Sequence, residues 1–139
     1  GKKDQADYRA FCLLGDGELA EGSNWEAAMC ASHFNLDNLV AIIDHNTLQI
    51  TGPTKEVMSQ DPLRARWESF GWSVREVDGP DTGQLEELLN AAPWETGKPS
   101  VLISHTTTGK GVSFIENNQK WHHGGPSDEE FAQAMEELS

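Results

Sequence analysis

Apolar runs and amphipathic segments alternate along this chain. Four runs of apolar or alternating residues end at glycine or polar positions and have the length typical of strands. Four other segments place their apolar residues three and four positions apart, a spacing typical of amphipathic helices. The predicted strands are residues 9–16, 38–44, 72–79 and 99–107, and the predicted helices are residues 23–34, 61–71, 81–92 and 127–138.

This alternation predicts an α/β fold with an open, mostly parallel sheet that has helices on both faces. The chain has 139 residues, so we expect a single domain over residues 1–139 that can bury a core. Ligands of such sheets bind outside the carboxyl ends of the strands. The two longest segments without a predicted element, 46–60 and 105–126, follow such ends, and we expect them to carry function.

Helix starts are predicted from capping residues. A capping box pairs a serine with a glutamate three residues later, each bonding the other's backbone N–H. The pairs with this spacing are Ser23 with Glu26 and Ser127 with Glu130. A further helix is expected to have Asp61 as its N-cap and Pro62 at its first helical position.

Charge and composition narrow the class of partner. The formal net charge of −13 argues against nucleic acid and anionic membranes as partners, and an anionic ligand would need a metal cation beside it. No apolar run approaches the ~20 residues that span a membrane, and no signal segment opens the chain. We expect a cytoplasmic protein in which Cys12 and Cys30 are buried, reduced thiols.

Polar residues follow the first two predicted strands. Asp16 ends the first strand between Gly15 and Gly17, and Asn46 follows the second. Parallel neighbours would bring the two side chains to one edge, where carboxylate and amide oxygens suit Mg²⁺ or Ca²⁺. The glycines would let the backbone turn tightly and approach a ligand, and an N–H near a helix start suits phosphate. These residues predict a Mg²⁺–diphosphate site, although an ordinary turn would explain each motif taken singly.

Two longer segments carry a family resemblance. The stretch GDGELAEGSNWEAAMCASHFNLDNLVAIIDHNTLQITG, residues 15–52, resembles the diphosphate-binding motif of thiamine-diphosphate enzymes. It is most similar to the transketolase family, and within it to split forms made of two chains. The stretch TTTGKGVSFIENNQKWHHGGP, residues 106–126, resembles a later loop of the same family. The resemblance extends over nearly the whole chain.

The resemblance implies a cofactor site for thiamine diphosphate with Mg²⁺ (or Ca²⁺). Asp16 and Asn46 would bind the metal through their side chains, and Leu48 through its main-chain carbonyl. The turn Gly15–Gly17 would bind the diphosphate, with the N–H of Gly17 as donor. Ile50 would pack against the cofactor, although an ordinary core position explains it as well.

The resemblance also places Glu21 and His123 in the catalytic machinery. Glu21 matches a glutamate at the interface between chains that links two active sites; a solvated charge before a helix is the alternative. His123 matches a histidine before a Gly-x-Pro turn that reaches the diphosphate and the substrate. His122 is expected to be a bystander, and His45 to have a structural role in its turn. The role of His105, at the end of a predicted strand, is open.

The activity implied is transfer of a two-carbon ketol unit from a ketose phosphate to an aldose phosphate. The resemblance covers only the diphosphate-binding domain, and it leads us to expect a chain that lacks the N-terminal part of the family domain. Activity would therefore require a pyrimidine-binding domain or a C-terminal transketolase chain, in a dimer or heterotetramer, and the isolated chain is expected to be inactive. Apolar surface left uncovered would favour self-association.

Three alternatives remain open from the sequence. The chain could belong to another thiamine-diphosphate enzyme, of the dihydroxyacetone synthase or deoxyxylulose-phosphate synthase type. It could be a non-catalytic fragment that binds the cofactor. It could also be an unrelated α/β domain in which the glycine–aspartate–glycine motif is only a turn.

Overall fold

A parallel sheet of four strands organises the fold. The computed structural model describes residues 1–139. The strands are β1 (Ala10–Gly15), β2 (Leu39–His45), β3 (Leu48–Gln49), β4 (Gly52–Pro53), β5 (Ser73–Asp78) and β6 (Ser100–His105). The main sheet has the order β1-β2-β6-β5 with every pair parallel, while β3 and β4 form a small antiparallel pair. The four predicted strands are thus confirmed, and the β3–β4 pair lies inside a segment for which no element was predicted.

Five α-helices connect or flank the strands. They are α1 (Gly22–His33), α2 (Thr54–Met58), α3 (Leu63–Ser69), α4 (Thr82–Asn90) and α5 (Asp128–Glu137). Short 3-10 helices cover Gly17–Ala20 and Gln119–His122. The four predicted helices are present with ends shifted by one or two residues. The structure contains no helix with the length and apolar character needed to cross a membrane.

The core lies on one face of the sheet, under α1 and α3. Strand residues alternate between faces, so Ala41 and Ile43 of β2 share this face with Val101 and Ile103, their register partners in β6. The residues packed on them are Leu19, Ala28, Ala31, Leu63, Trp67 and Trp72. The indole N–H of Trp72 donates a 3.0 Å hydrogen bond to the carbonyl of Ala28, which ties α1 to the start of β5. Helix α4 covers part of the opposite face, so the predicted two-sided arrangement is confirmed.

Two of the three predicted helix starts are wrong. Helix α1 begins at Gly22 with Glu21 as its N-cap, and no side chain caps it, so Ser23 lies inside the helix. The preceding 3-10 helix leads directly into α1 and leaves no room for a cap at Ser23. Helix α3 begins at Leu63 because Pro62 keeps extended backbone angles as N-cap. The capping box of Ser127 and Glu130 at α5 is confirmed.

Strand β1 is more exposed than its apolar sequence predicts. It lies at the edge of the sheet and pairs only with β2, so Leu13 is 70% exposed. The expectation that both cysteines are buried is also wrong, since Cys12 lies on this edge strand and Cys30 on the outer side of α1. The large apolar side chains that are exposed include Phe11, Met29, Phe34, Phe131, Met135 and Leu138. The predicted apolar surface is therefore present, whereas self-association stays a prediction.

Candidate functional site

The carboxyl ends of β1, β2 and β6 meet at one edge of the sheet. The register places Gly15 opposite Asp44, and Asp44 opposite Ser104. The ladder continues past β1, because the N–H of Asp16 donates to the carbonyl of Asp44 at 3.1 Å. The parallel pairing of the first two strands, which the sequence could only assume, brings Asp16 next to the loop that carries Asn46.

A cavity of about 520 Å³ opens at this edge. This is within the range of about 300–1,000 Å³ that is typical of small-molecule sites. The predicted site residues that line it are Gly15, Asp16, Gly17, Asn46, Leu48 and Ile50. Ile50 is 58% exposed, so an ordinary core position does not describe it. The structure thus collects six of the predicted residues around one space.

Asp16 is a buried carboxylate at the base of this cavity. It is 3% exposed, and its Oδ2 accepts a 2.8 Å hydrogen bond from the N–H of Thr47. Burial raises the pKa of Asp16, while the Thr47 bond and the charge of a protonated His45 oppose that rise. A cation bound beside Asp16 would stabilise the ionised carboxylate that burial disfavours.

The orientation of Asn46 is fixed from two sides. Its Nδ2 donates to Asp44 Oδ2 at 3.1 Å, and its Oδ1 accepts from the N–H of Leu48 at 2.9 Å. Asp44 in turn accepts a hydrogen bond from the hydroxyl of Thr106, the residue that follows the neighbouring strand β6. Sequence reasoning missed Asp44 and Thr106. Their position in the sequence could have indicated a role at the site, since each lies at or just past the end of a strand that borders it.

The two glycines of the turn have different roles. Neither has a positive φ, so the turn does not depend on the conformational freedom of glycine. A Cβ on Gly17 would lie 2.9 Å from the Cβ of Gln49, so a side chain there would collide with β3. A Cβ on Gly15 would meet no atom within 4 Å. Close approach therefore explains Gly17, while Gly15 leaves space beside the cavity.

The donor atoms of this edge fit a hard cation. The candidate ligands are the Asp16 carboxylate, the Asn46 amide oxygen and the Leu48 carbonyl, and all three residues line the same cavity. No group of three or more His, Cys, Asp or Glu residues could hold a metal ion in this structure. Mg²⁺ commonly takes its other ligands from phosphate and water, so a site with one carboxylate suits it better than a transition metal.

The histidines of the later loop lie close to the site. His122, expected to be a bystander, lines the cavity, whereas His123 does not. His123 lies in an adjoining hollow together with His122 and Ile50. Glu21 is exposed at the start of α1, outside the cavity. The catalytic roles of His123 and Glu21 stay predictions.

A second cavity of about 600 Å³ lies on the face of the sheet that is turned away from the core. Apolar side chains of β1, β2 and α4 line it, and it shares three residues with the first cavity. The shared residues are Asp44, Asn46 and His122. The loop after β2 and the helix Gln119–His122 therefore border both spaces.

Comparison with known proteins identifies the class to which this fold and site belong. Residues 1–139 match the family described as "Transketolase, thiamine diphosphate binding domain". The chain therefore belongs to the transketolase family and is a thiamine diphosphate-binding domain of it, as the sequence predicted. An unrelated α/β domain is excluded.

Individual relatives refine this comparison. The chain is 50% identical over 138 residues to an apulose-4-phosphate transketolase subunit of Phocaeicola vulgatus, a match that covers 99% of this chain and 49% of that protein. It is 39% identical to the 6-deoxy-6-sulfo-D-fructose transketolase subunit SqwG of Clostridium sp., over 92% of this chain and 46% of the relative. The chain thus spans about half the length of these relatives.

A solved structure shows the same fold. Transketolase from Campylobacter jejuni superposes with a TM-score of 0.85 at 33% identity, over 96% of this chain and 21% of that one. The predicted α/β architecture is thereby confirmed.

Proposed function

We propose that this chain binds Mg²⁺–thiamine diphosphate as the diphosphate-binding part of a transketolase. In this proposal it takes part in the transfer of a two-carbon ketol unit from a ketose phosphate to an aldose phosphate. The observation that carries the proposal is the cavity at the carboxyl ends of β1 and β2, because six residues expected from the family motif line it. Ca²⁺ would fit the same oxygen donors.

The roles follow from the donor atoms. Asp16 and Asn46 bind the cation through side-chain oxygens, and Leu48 binds it through its main-chain carbonyl. Gly17 offers its N–H to the diphosphate from the first turn of the 3-10 helix, and Ile50 contacts the cofactor from the rim. The cofactor, when bound, supplies the electron sink for breaking the bond beside the substrate carbonyl.

Proton transfer falls to the loop histidines. An imidazole with an ordinary pKa of ~6.5 can both accept and donate a proton near neutral pH. His123 is the proposed catalytic histidine, and its neighbour His122 holds a position on the cavity wall. Glu21 is proposed to act at the interface with a second chain, which its exposure permits.

A second chain completes the site in this proposal. Two relatives are named as subunits, and this chain spans about half of each. We propose a C-terminal, pyrimidine-binding transketolase chain as the partner, in a dimer or heterotetramer located in the cytoplasm. The isolated chain is expected to bind the cofactor weakly and to transfer no ketol unit.

The substrates proposed are sugar phosphates. The 50% identity to the Phocaeicola vulgatus relative makes apulose-4-phosphate the first donor to test. 6-Deoxy-6-sulfo-D-fructose, which carries a sulfonate and no phosphate, is the informative second donor because it tests the preference for sugar phosphates and the relative named for it is 39% identical. Assays use this chain with its partner chain, and product appears only when both are present.

The decisive experiment is calorimetric titration of thiamine diphosphate into the chain with Mg²⁺ and again with excess chelator. Binding that requires the metal is expected, and Asp16→Asn should abolish it. Glu18→Gln is the matched control, since Glu18 is an exposed acid on the same cavity and no proposed ligand. Absence of binding in the presence of the partner chain would refute the proposed function.

A further inference from the structure

A line of side-chain contacts runs from the cavity across three strands. His45 Nε2 lies 3.7 Å from Asp16 Oδ2, and His45 Nδ1 lies 3.2 Å from His105 Nδ1. On its other side, His105 Nε2 lies 2.8 Å from Glu76 Oε2. Glu76 Oε1 accepts a 2.6 Å hydrogen bond from Arg64 Nε. The buried carboxylate is thus connected to an exposed ion pair on α3 and β5.

The sheet itself sets this arrangement. His45 and His105 are register partners at the ends of β2 and β6, so their side chains leave the sheet on the same face. Glu76 of β5 pairs in register with Ile103 and reaches His105 diagonally. Paired strands hold all three residues, which fixes the rings more firmly than a loop would.

The positions of the imidazole hydrogens follow from Glu76, which accepts the hydrogen bond from His105. Arg64 and then His105 hold the pKa of Glu76 below its ordinary value, so Glu76 is an ionised acceptor at neutral pH. The hydrogen in that contact therefore sits on Nε2 of His105. When His105 is neutral its Nδ1 has no hydrogen, so the Nδ1 of His45 must donate across the 3.2 Å contact.

That tautomer determines what faces Asp16. With its hydrogen on Nδ1, a neutral His45 presents a bare Nε2 towards Asp16 Oδ2, and no imidazole N–H competes for the carboxylate. If His105 were absent, His45 could place its hydrogen on Nε2 and donate to Asp16. The two atoms are 3.7 Å apart, so a shift of about 0.5 Å would bring this N–H within hydrogen-bond distance of the carboxylate.

We propose that His105 is a positioning residue which, anchored by Glu76, holds neutral His45 in the Nδ1–H tautomer beside Asp16. The consequence is a carboxylate that stays available to a divalent cation. The consequence rests on the proposed function, whereas the tautomer does not. His105 is 47% exposed at its side chain and His45 19%, so solvent weakens the effect relative to a fully buried contact.

The first test is the tautomer, read from ¹⁵N chemical shifts of the imidazole nitrogens. Spectra are recorded over a series of pH values, and the tautomers are read from those spectra in which the ¹⁵N shifts themselves identify neutral imidazole rings. The expected result is Nδ1–H for His45 and Nε2–H for His105. In His105→Phe, His45 should shift towards Nε2–H, while His33→Phe, a change at an exposed histidine on α1, leaves it unaltered. A wild-type His45 in the Nε2–H form overturns the proposal.

The second test is cation affinity, with Mn²⁺ as the probe in calorimetry or electron paramagnetic resonance. Loss of an outer partner of a metal ligand typically weakens binding by about 10–100-fold. Because His105 is half exposed, we expect His105→Phe to weaken Mn²⁺ binding by only about 3–10-fold. Glu76→Gln, which keeps the shape and removes the charge, should weaken it in the same direction, and His33→Phe should not.

The two tests separate this inference from the function on which it rests. Equal Mn²⁺ affinity for wild type and His105→Phe overturns the consequence for the cation. A wild-type chain that binds no Mn²⁺, even with the partner chain, refutes the proposed metal site instead, and the tautomer result then still decides the positioning role. Circular dichroism of each variant confirms that it is folded before either result is used.

Discussion

The N–H of Thr47 donates a 2.8 Å hydrogen bond to Oδ2 of Asp16, which joins the loop after β2 to the turn after β1. Thr47 has a φ of +65°, a left-handed conformation that β-branched residues rarely adopt. Thr47 therefore pays about 1–2 kcal/mol more than a glycine would for adopting this backbone conformation. Strain of this kind is typical of functional turns.

Relief of this strain should stabilise the chain. Thr47→Gly keeps the N–H and removes the unfavourable Cβ contact, but it also increases the entropy of the unfolded chain. The expected net change is an increase of up to about 1 kcal/mol in the free energy of unfolding, measured by urea titration. Thr47→Ala keeps a Cβ at positive φ and serves as the control. A glycine variant less stable than the alanine variant would contradict the argument.

The raised pKa of Asp16 predicts the direction in which the free energy of unfolding changes with pH. A carboxyl whose pKa is higher in the folded state binds its proton more tightly there. Without metal, its contribution should therefore fall as pH rises from the ordinary aspartate pKa of ~3.9 through the raised folded value. Above that window, chelator-treated Asp16→Asn should be more stable than wild type. The measurement is the free energy of unfolding of wild type and of Asp16→Asn at each pH. Their difference reports on Asp16 alone, because the carboxyls with a lowered pKa are present in both proteins.

Loss of Asp44 should impair the site more than the fold. Asp44→Ala removes the acceptor that orients the Asn46 amide and receives the Thr106 hydroxyl. We expect cation affinity to fall by about 10–100-fold, the range found when outer partners of metal ligands are lost. Asp78→Ala, at the end of β5 and away from the cavity, is the control. Equal effects of the two substitutions on Mn²⁺ affinity would contradict this role of Asp44.

The two glycines of the first turn should respond differently to alanine. Gly17→Ala places a Cβ 2.9 Å from that of Gln49 and should destabilise the fold by about 1–3 kcal/mol. Gly15→Ala meets no neighbour and should leave stability unchanged. Gln49→Gly removes the opposing Cβ, so it should restore stability in the Gly17→Ala background. Thermal unfolding of the single and double variants measures this, and a missing rescue would exclude the steric explanation.

Exposed apolar residues of β1 should cause self-association of the isolated chain. Leu13→Lys introduces a charge in place of a 70% exposed apolar side chain of that strand and should reduce the average mass in light scattering at high concentration. Leu138→Lys changes the net charge equally at an exposed site at the end of α5 and serves as the control. A strictly monomeric wild-type chain at high concentration would contradict the expectation.

The strands that position the site could be predicted because each is indicated by the pattern of residues within one short segment of the sequence. The apolar run 38–44 and the polar trio after it are read within one short segment. Asp16 and Asn46 could be placed together once parallel pairing was assumed, and the structure confirms that pairing. Residue chemistry alone could not distinguish a cation site from ordinary turns. The resemblance of two separated motifs to one family then favoured the cation site.

Features that depend on tertiary neighbours could not be predicted. An apolar run does not say whether its strand will be central or at an edge, which is why Cys12 was wrongly expected to be buried. The pairing of His45 with His105 joins residues 60 positions apart through strand register, which no local pattern specifies. The choice between His122 and His123 at the cavity wall depends on a 3-10 helix whose ends carry no clear signal.

The edge position of β1 has a thermodynamic consequence for the site. Asp16 directly follows strand β1, and β2 is the only strand that pairs with β1. If the proposed cation site is present, a chain that packs on the free side of β1 and orders it would also order the carboxylate and so tighten cation binding. Linkage would make this reciprocal, so a bound cation would strengthen that packing by the same factor. Assembly and cofactor loading would then be two measurements of one coupling free energy.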